Sequence, residues 1–162
     1  MTDRAAELRA AFDRGFAEPV RGPRGATRDV LRVRVGGQPH AIELAEVAAL
    51  HVDRRVVALP TRARELLGVV AIRGSILPVY DLRAVLGLDP AGPPRWVIAL
   101  AAAAVAVALD GFEGLVRTAA APIARGEGRF VRGALALDGA MLPVIDLAAV
   151  ASTLARRWTK EP

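Results

Sequence analysis

Residues 68–86, GVVAIRGSILPVYDLRAVL, return at a constant offset of 65 as residues 133–151, GALALDGAMLPVIDLAAVA. Ten of the nineteen positions are identical with no gap, among them Gly68/Gly133, Gly74/Gly139, Pro78/Pro143, Asp81/Asp146 and Leu82/Leu147. Most mismatches exchange one apolar residue for another, as in Ile76/Met141. Two copies are too few for a solenoid, which needs about three stacked units to bury its faces. The chain is therefore expected to hold two similar subdomains, each built round one supersecondary unit.

The unit has a readable physical form. Val69 to Ile72 is a short apolar run, and Arg73-Gly74 supplies a charge and a residue tolerant of positive φ. Ile76 to Tyr80 resumes an extended apolar stretch. Pro78 lacks an N–H, so this strand is expected at a sheet edge or at a bulge. Asp81 then precedes Leu82, Val85 and Leu86 at helical spacing, the pattern of an N-cap. The second copy keeps this punctuation at Gly139, Pro143 and Asp146.

A length of 162 residues with 53% apolar content supports a real core without cross-links. Cysteine is absent, which excludes disulfides, thiolate metal sites and thiol chemistry. The N-terminal residues alternate charges with Ala, Leu and Phe and contain no signal-peptide core. The longest apolar run, Trp96 to Leu109, is 14 residues long. A bilayer span needs about 20, so no membrane insertion is expected and the chain reads as cytoplasmic.

The net charge of +5 raises nucleic-acid binding. Against it, the basic residues are scattered, no basic run exceeds two, and aromatic residues make up only 4%. A stacking platform for single strands would be thin.

Along the chain, Ala5, Leu8, Phe12 and Phe16 form a helical stripe, followed by a Pro/Gly linker up to residue 28. Val30 to Val35 and His40 to Ile42 read as strands around Gly36-Gly37. Residues 43–50 read as a short helix or turn with Leu44 and Val47 facing inward. Residues 54–60 read as an extended piece, and 61–67 as a loop with a helical turn. Trp96 to Leu109 reads as two strands folded over at Ala101–Ala104, although alanine favours helix. Residues 115–121 read as a strand and 124–130 as a loop. Leu147, Val150, Leu154 and Trp158 mark a closing amphipathic helix.

These segments, in this order, resemble the CheW-like chemotaxis coupling family over residues 29–155. The motifs that carry the resemblance are Ile72-Arg73-Gly74 and Pro78-Val79-Tyr80-Asp81-Leu82-Arg83. The resemblance implies a mainly β fold of two intertwined small SH3-like β-barrel subdomains with short helices, flanked here by N-terminal and C-terminal amphipathic helices. The implied organisation is an N-terminal helix and linker over 1–28, the CheW-like domain over 29–155 and a tail over 156–162.

The implied function is a non-catalytic scaffold joining the cytoplasmic tip of a chemoreceptor to the regulatory domain of a CheA-type histidine kinase. Other CheW-like proteins are further implied partners, and the implied location is the chemoreceptor array. Carried over position by position, Arg73, Val47 and Leu50 are implied receptor contacts. Gly68, Trp96 and Val97 are implied kinase contacts. Two positions depart from the family pattern: Ala49 stands where an acidic residue is frequent, and Ala71 where Asn is usual.

The residue inventory agrees with a scaffold. His40 and His51, with Ser75 and Ser152, offer no assembled nucleophile, base and orienting group. Asp81 and Asp146 are explained as helix caps. No metal, cofactor or small-molecule substrate is expected. Two alternatives stand beside the coupling reading: an accessory adaptor that binds only one of the two partners, and a basic β-barrel that binds nucleic acid.

Overall fold

The structure, a computed structural model, describes residues 26–90, 92–119, 124–125 (backbone only) and 128–159. The expected N-terminal helix and most of its linker lie outside these residues.

Eleven strands form two sheets. Strands β1 (Thr27–Val35) and β2 (Gln38–Glu43) make a hairpin through Gly36-Gly37, both in left-handed conformation at φ 61° and 73°. A 3-10 turn (Leu44–Glu46) leads into β3 (Val47–Val52). The first repeat follows as β4 (Leu66–Ile72), β5 (Ser75–Asp81) and α1 (Leu82–Leu86). Next come β6 (Trp96–Leu100), β7 (Ala106–Leu109), β8 (Gly111–Ala119) and β9 (Ala124–Arg125). The second repeat closes the chain as β10 (Val131–Leu137), β11 (Ala140–Ile145) and α2 (Leu147–Trp158).

One sheet has the order β8-β1-β2-β11-β10-β9, the other β3-β6-β7-β5-β4. Each contains the same five-strand arrangement. A hairpin (β1–β2 or β6–β7) carries an antiparallel neighbour on one side. On the other side it pairs in parallel with the proline-bearing strand of a repeat hairpin. Even the edge cover is matched: β9 lies along β10 at Ala134, and an isolated bridge joins Val57 to Val69. The chain begins in the first sheet, builds the second, and returns to finish the first, so the subdomains are intertwined as expected.

Burial explains the pairing. The interior of the five-stranded sheet holds Val70, Ile72 and Val79. That of the six-stranded sheet holds their repeat partners Leu135, Leu137 and Val144. Ala99, Ala106 and Ala108 keep the first interior small enough to close. A third, larger cluster joins the two sheets: Leu31, Ile42, Ile98 and Val107 meet Leu147, Val150 and Leu154 of α2. Central strands are thus buried on both faces, as Val30 and Leu31 show.

Asp81 Oδ1 accepts from Arg83 N at 3.0 Å, and Asp146 Oδ1 accepts from Ala149 N at 2.9 Å, so both aspartates cap helices as the sequence indicated. α1 ends after five residues at Gly87, which adopts φ 73°, whereas α2 runs twelve residues to Trp158.

The alanine run folds as expected, with β6 and β7 antiparallel around it. None of the four alanines has positive φ; a four-residue bend closed by Leu100 N to Val105 O at 3.0 Å makes that unnecessary.

Several details differ from the sequence reading. Residues 47–52 are a strand, and Leu44 is exposed while Val47 packs on the core. The 54–60 piece joins the sheet only through the Val57–Val69 bridge. Ala124–Arg125 is a short strand, and β8 begins at Gly111 rather than 115.

Finally, β5 is interior, not an edge, and the bulge sits on its partner, between Leu66 and Gly68. Pairing of β5 with β7 begins only at Val79, so the missing N–H of Pro78 leaves no ladder bond unmade. Pro143 uses the same device, since β11 meets β2 only from Val144.

Candidate docking surface

The two repeats present two hairpin tips. Ile72 pairs with Ser75, and Leu137 with Ala140, leaving two-residue loops. Arg73-Gly74 has φ of 50° and 81°, and Asp138-Gly139 has 49° and 77°, the type I′ pattern. A left-handed L-residue costs about 1–2 kcal/mol, and Asp offsets part of this through its short polar side chain. Arginine has no such local device.

Their partners differ as well. Arg32 Nη1 donates to Asp138 Oδ2 at 2.9 Å, anchoring the second tip to β1. Arg73 is exposed and forms no ion pair or side-chain hydrogen bond among the described residues. A strained, solvent-facing, unpaired guanidinium is unexplained by the fold and free to meet another molecule.

Beside each tip sits an exposed apolar side chain at the same repeat position: Ile76, 73% exposed, and Met141, 59% exposed. They lie opposite Ala71 and Ala136, both exposed, so neither is covered from the neighbouring strand.

Gly68 is buried on β4 with φ 143°, and a Cβ there would lie 2.1 Å from Val57 O. The glycine therefore lets the 54–60 segment close onto the sheet, an architectural duty whatever else it does. Trp96 is half-buried and its ring sits 5.3 Å from that of Phe112. Val97 is only 3% exposed and belongs to the barrel interior. Leu50 is half-buried on β3, opposite Ile98 of β6. Val47, Leu50, Trp96 and Val97 thus share the β3–β6 side of the sheet, while Gly68 and Arg73 lie on the β4–β5 hairpin at its other end.

Two charged networks behind these surfaces escaped sequence reasoning. Arg83, almost fully buried, forks onto Asp81 at 2.8 and 2.7 Å and reaches Asp110 Oδ1 at 2.8 Å and the Gly92 carbonyl. Asp110 Oδ2 in turn accepts from Gly37 N at 3.1 Å, so the chain of contacts crosses from one subdomain to the other. The hydrogen bond to Asp81 raises the Arg83 pKa against the opposing pull of burial.

In the second repeat position 148 is alanine, and the arginine comes from elsewhere. Arg132, the bulged residue of β10, meets Glu46 at 2.8 Å, Glu43 at 3.1 Å and Asp146 at 3.2 Å. Burial pushes the Asp146 carboxyl up, but the Ala149 N–H and the Arg132 guanidinium outweigh it and hold its pKa below the ordinary value. The Arg83 signal was present in Asp-Leu-Arg. The Arg132 signal was not, because a bulge sets where that side chain points.

The surface offers charge and apolar area. Among the described residues no group of three or more His, Asp or Glu could hold a metal ion, and no helix is long and apolar enough to cross a membrane.

Known proteins share this arrangement. A family model described as a CheW-like domain matches residues 29–155. A probable chemotaxis protein CheW from Rhizobium etli is 29% identical over 136 residues, covering 77% of this chain and 88% of that protein. The chemotaxis protein CheW of Rhizobium meliloti is 28% identical over 134 residues, covering 76% and 86%. The crystal structure of the scaffolding protein TtCheW from Thermoanaerobacter tengcongensis superposes with a TM-score of 0.63 at 17% identity, over 73% of this chain and 88% of that one, which shows a common fold. With a family match across most of its length and the duplicated hairpin–cap unit seen in both sheets, the chain belongs to the CheW-like family.

Proposed function

We propose that this CheW-like chain is a non-catalytic adaptor that couples a chemoreceptor to a CheA-type histidine kinase in bacterial chemosensory signalling. Residues 29–155 are its working domain, and the chemoreceptor array its place in the cell. Arg73 is the receptor-reading residue, with Val47 and Leu50 as apolar contacts. Trp96 and, at the opposite edge, Gly68, buried against Val57, are the proposed kinase-side positions. Val97, buried in the barrel interior, holds the surface in place rather than touching the partner.

The observation that carries this reading is Arg73 itself, an unpaired guanidinium held in a costly backbone conformation at the tip of the family motif. The matched exposed side chains Ile76 and Met141 add apolar area suited to docking proteins of the same fold, as the kinase regulatory domain is. Ala49, half-buried, and Ala71, exposed, lack the polar groups common at those positions in the family, which supports the accessory reading.

The test is capture on the immobilised full chain. A receptor cytoplasmic tip and a CheA regulatory domain are offered singly and together. Retention of both in one complex supports coupling. Retention of one alone supports the accessory role, and retention of neither removes the proposal.

A further inference from the structure

The arginines of this protein divide sharply into paired and unpaired. On the six-stranded sheet every described arginine side chain, from Arg28 and Arg32 to Arg117 and Arg132, contacts a carboxylate. The segment between β3 and β4 is the opposite. Arg54, Arg55, Arg62 and Arg64 are all exposed, and none has an ion pair or side-chain hydrogen bond among the described residues. The only acids within that segment are already engaged: Asp53 takes Arg95 at 2.9 and 2.6 Å, and Glu65 takes Arg157.

A composition bias toward arginine would leave unpaired guanidiniums spread over the whole surface. Here four are concentrated on one connector. Fixing like charges together opposes folding slightly and stabilises nothing in the isolated chain. The connector is also ordered, because Val57 exchanges both backbone hydrogen bonds with Val69, at 2.8 and 2.9 Å. The two arginine pairs therefore flank a fixed point on the edge of β4. Along the chain Val57, 55% exposed, lies between the two pairs as an apolar centre.

We propose that this ridge is a docking surface for an acidic protein segment, whose carboxylates pair with Arg54, Arg55, Arg62 and Arg64 around Val57. The planar guanidinium suits carboxylates in a forked geometry, which this chain already uses at Arg95–Asp53 and Arg117–Asp29. An exposed apolar centre within a charged rim is the anatomy of a protein interface. The 53–65 segment contains no aromatic residue on which a base could stack, which weighs against single-stranded nucleic acid. The assignment does not depend on Arg73 or Trp96, and Gly68, which seats the 54–60 segment, stays intact in its test.

The probe is fluorescently labelled poly-L-glutamate, titrated with the full chain and read by anisotropy at low and at physiological salt. The double variants Arg54→Gln/Arg55→Gln and Arg62→Gln/Arg64→Gln are compared with Arg129→Gln/Arg156→Gln, which removes two charges without a carboxylate partner from elsewhere. Each ridge variant should weaken binding about tenfold, while the control binds like wild type, and added salt should weaken wild type most. Circular dichroism melts check folding, and Lys substitutions at the same four positions should keep much of the binding. Equal losses in ridge and control variants would reduce the effect to net charge and overturn the assignment. So would no binding at low salt, or tighter binding of duplex or single-stranded DNA of equal charge.

Discussion

Arg73 and Asp138 occupy the same left-handed position of matched turns, at φ 50° and 49°, yet of the two only Asp138 has a partner among the described residues, Arg32 at 2.9 Å. The duplicated backbone holds one tip to the protein and leaves the other tip's charge to solvent. This divergence within a repeat separates what the architecture needs from what it does not.

Substitution at Arg73 should therefore split stability from binding. Arg73→Ala is expected to leave the melting temperature nearly unchanged and to weaken receptor-tip binding about tenfold or more. Arg73→Gly relieves the left-handed strain and should stabilise the domain by about 1 kcal/mol while losing the same binding. Asp138→Ala removes an exposed ion pair, so it should cost no more than about 1 kcal/mol and spare receptor binding. Thermal melts and receptor titrations on the three variants decide this. An unfolded Arg73→Ala would make the residue architectural.

Arg83 makes the opposite case. Its guanidinium is buried and satisfies Asp81 and Asp110, and through Asp110 the Gly37 amide of the other subdomain. Truncation leaves two carboxylates beside the core without their cation, a loss of about 3–5 kcal/mol. Arg83→Lys should recover little, because a single ammonium cannot reproduce the fork. Urea unfolding gives the test, and a loss below about 1 kcal/mol would show that water replaces the arginine without strain.

The repeat made most of the architecture legible. Glycine turns, proline strands and aspartate caps are local signals, and each copy verifies the other. What the sequence hid was non-local. Whether β5 lies at an edge depends on where β7 begins to pair with it, at Val79, which Pro78 alone does not reveal. The family resemblance carries Val97 over beside Trp96, whereas pleating sends Trp96 to the rim of the inter-sheet core and Val97 into the barrel interior. Residues 43–50 read as a short helix or turn because β3, which begins at Val47, is half-buried on both faces and lacks a clean alternation.

The alanine bend gives a test of local stability. β6 and β7 are buried throughout most of their length, whereas Ala101 and Ala102 are exposed and only the bend's flanks are hydrogen-bonded. Amide exchange should be slow at Ile98, Ala99, Val107 and Ala108 and much faster at Ala102 and Ala103. Uniform protection across 96–109 would contradict the hairpin.

His40 supplies a pH dependence. It is 7% exposed, with Nδ1 donating to the Gln38 carbonyl at 3.0 Å. Burial disfavours the imidazolium and outweighs that hydrogen bond, so the folded-state pKa lies below the ordinary 6.5. In the unfolded chain the ring titrates near about 6.5. Above that pH both states are neutral and the full stability is present. As pH falls toward the folded value the unfolded chain gains a proton that the folded one resists, and stability declines by at most about 1.4 kcal/mol per unit. Asp146, whose pKa is also lowered, adds its own loss only below about 4. Unfolding free energy measured from pH 7.5 downward should therefore fall more steeply for wild type than for His40→Gln once the pH passes below about 6.5. Parallel profiles for the two proteins would mean that the folded chain takes up the proton as readily as the unfolded one, and the burial argument for His40 would fail.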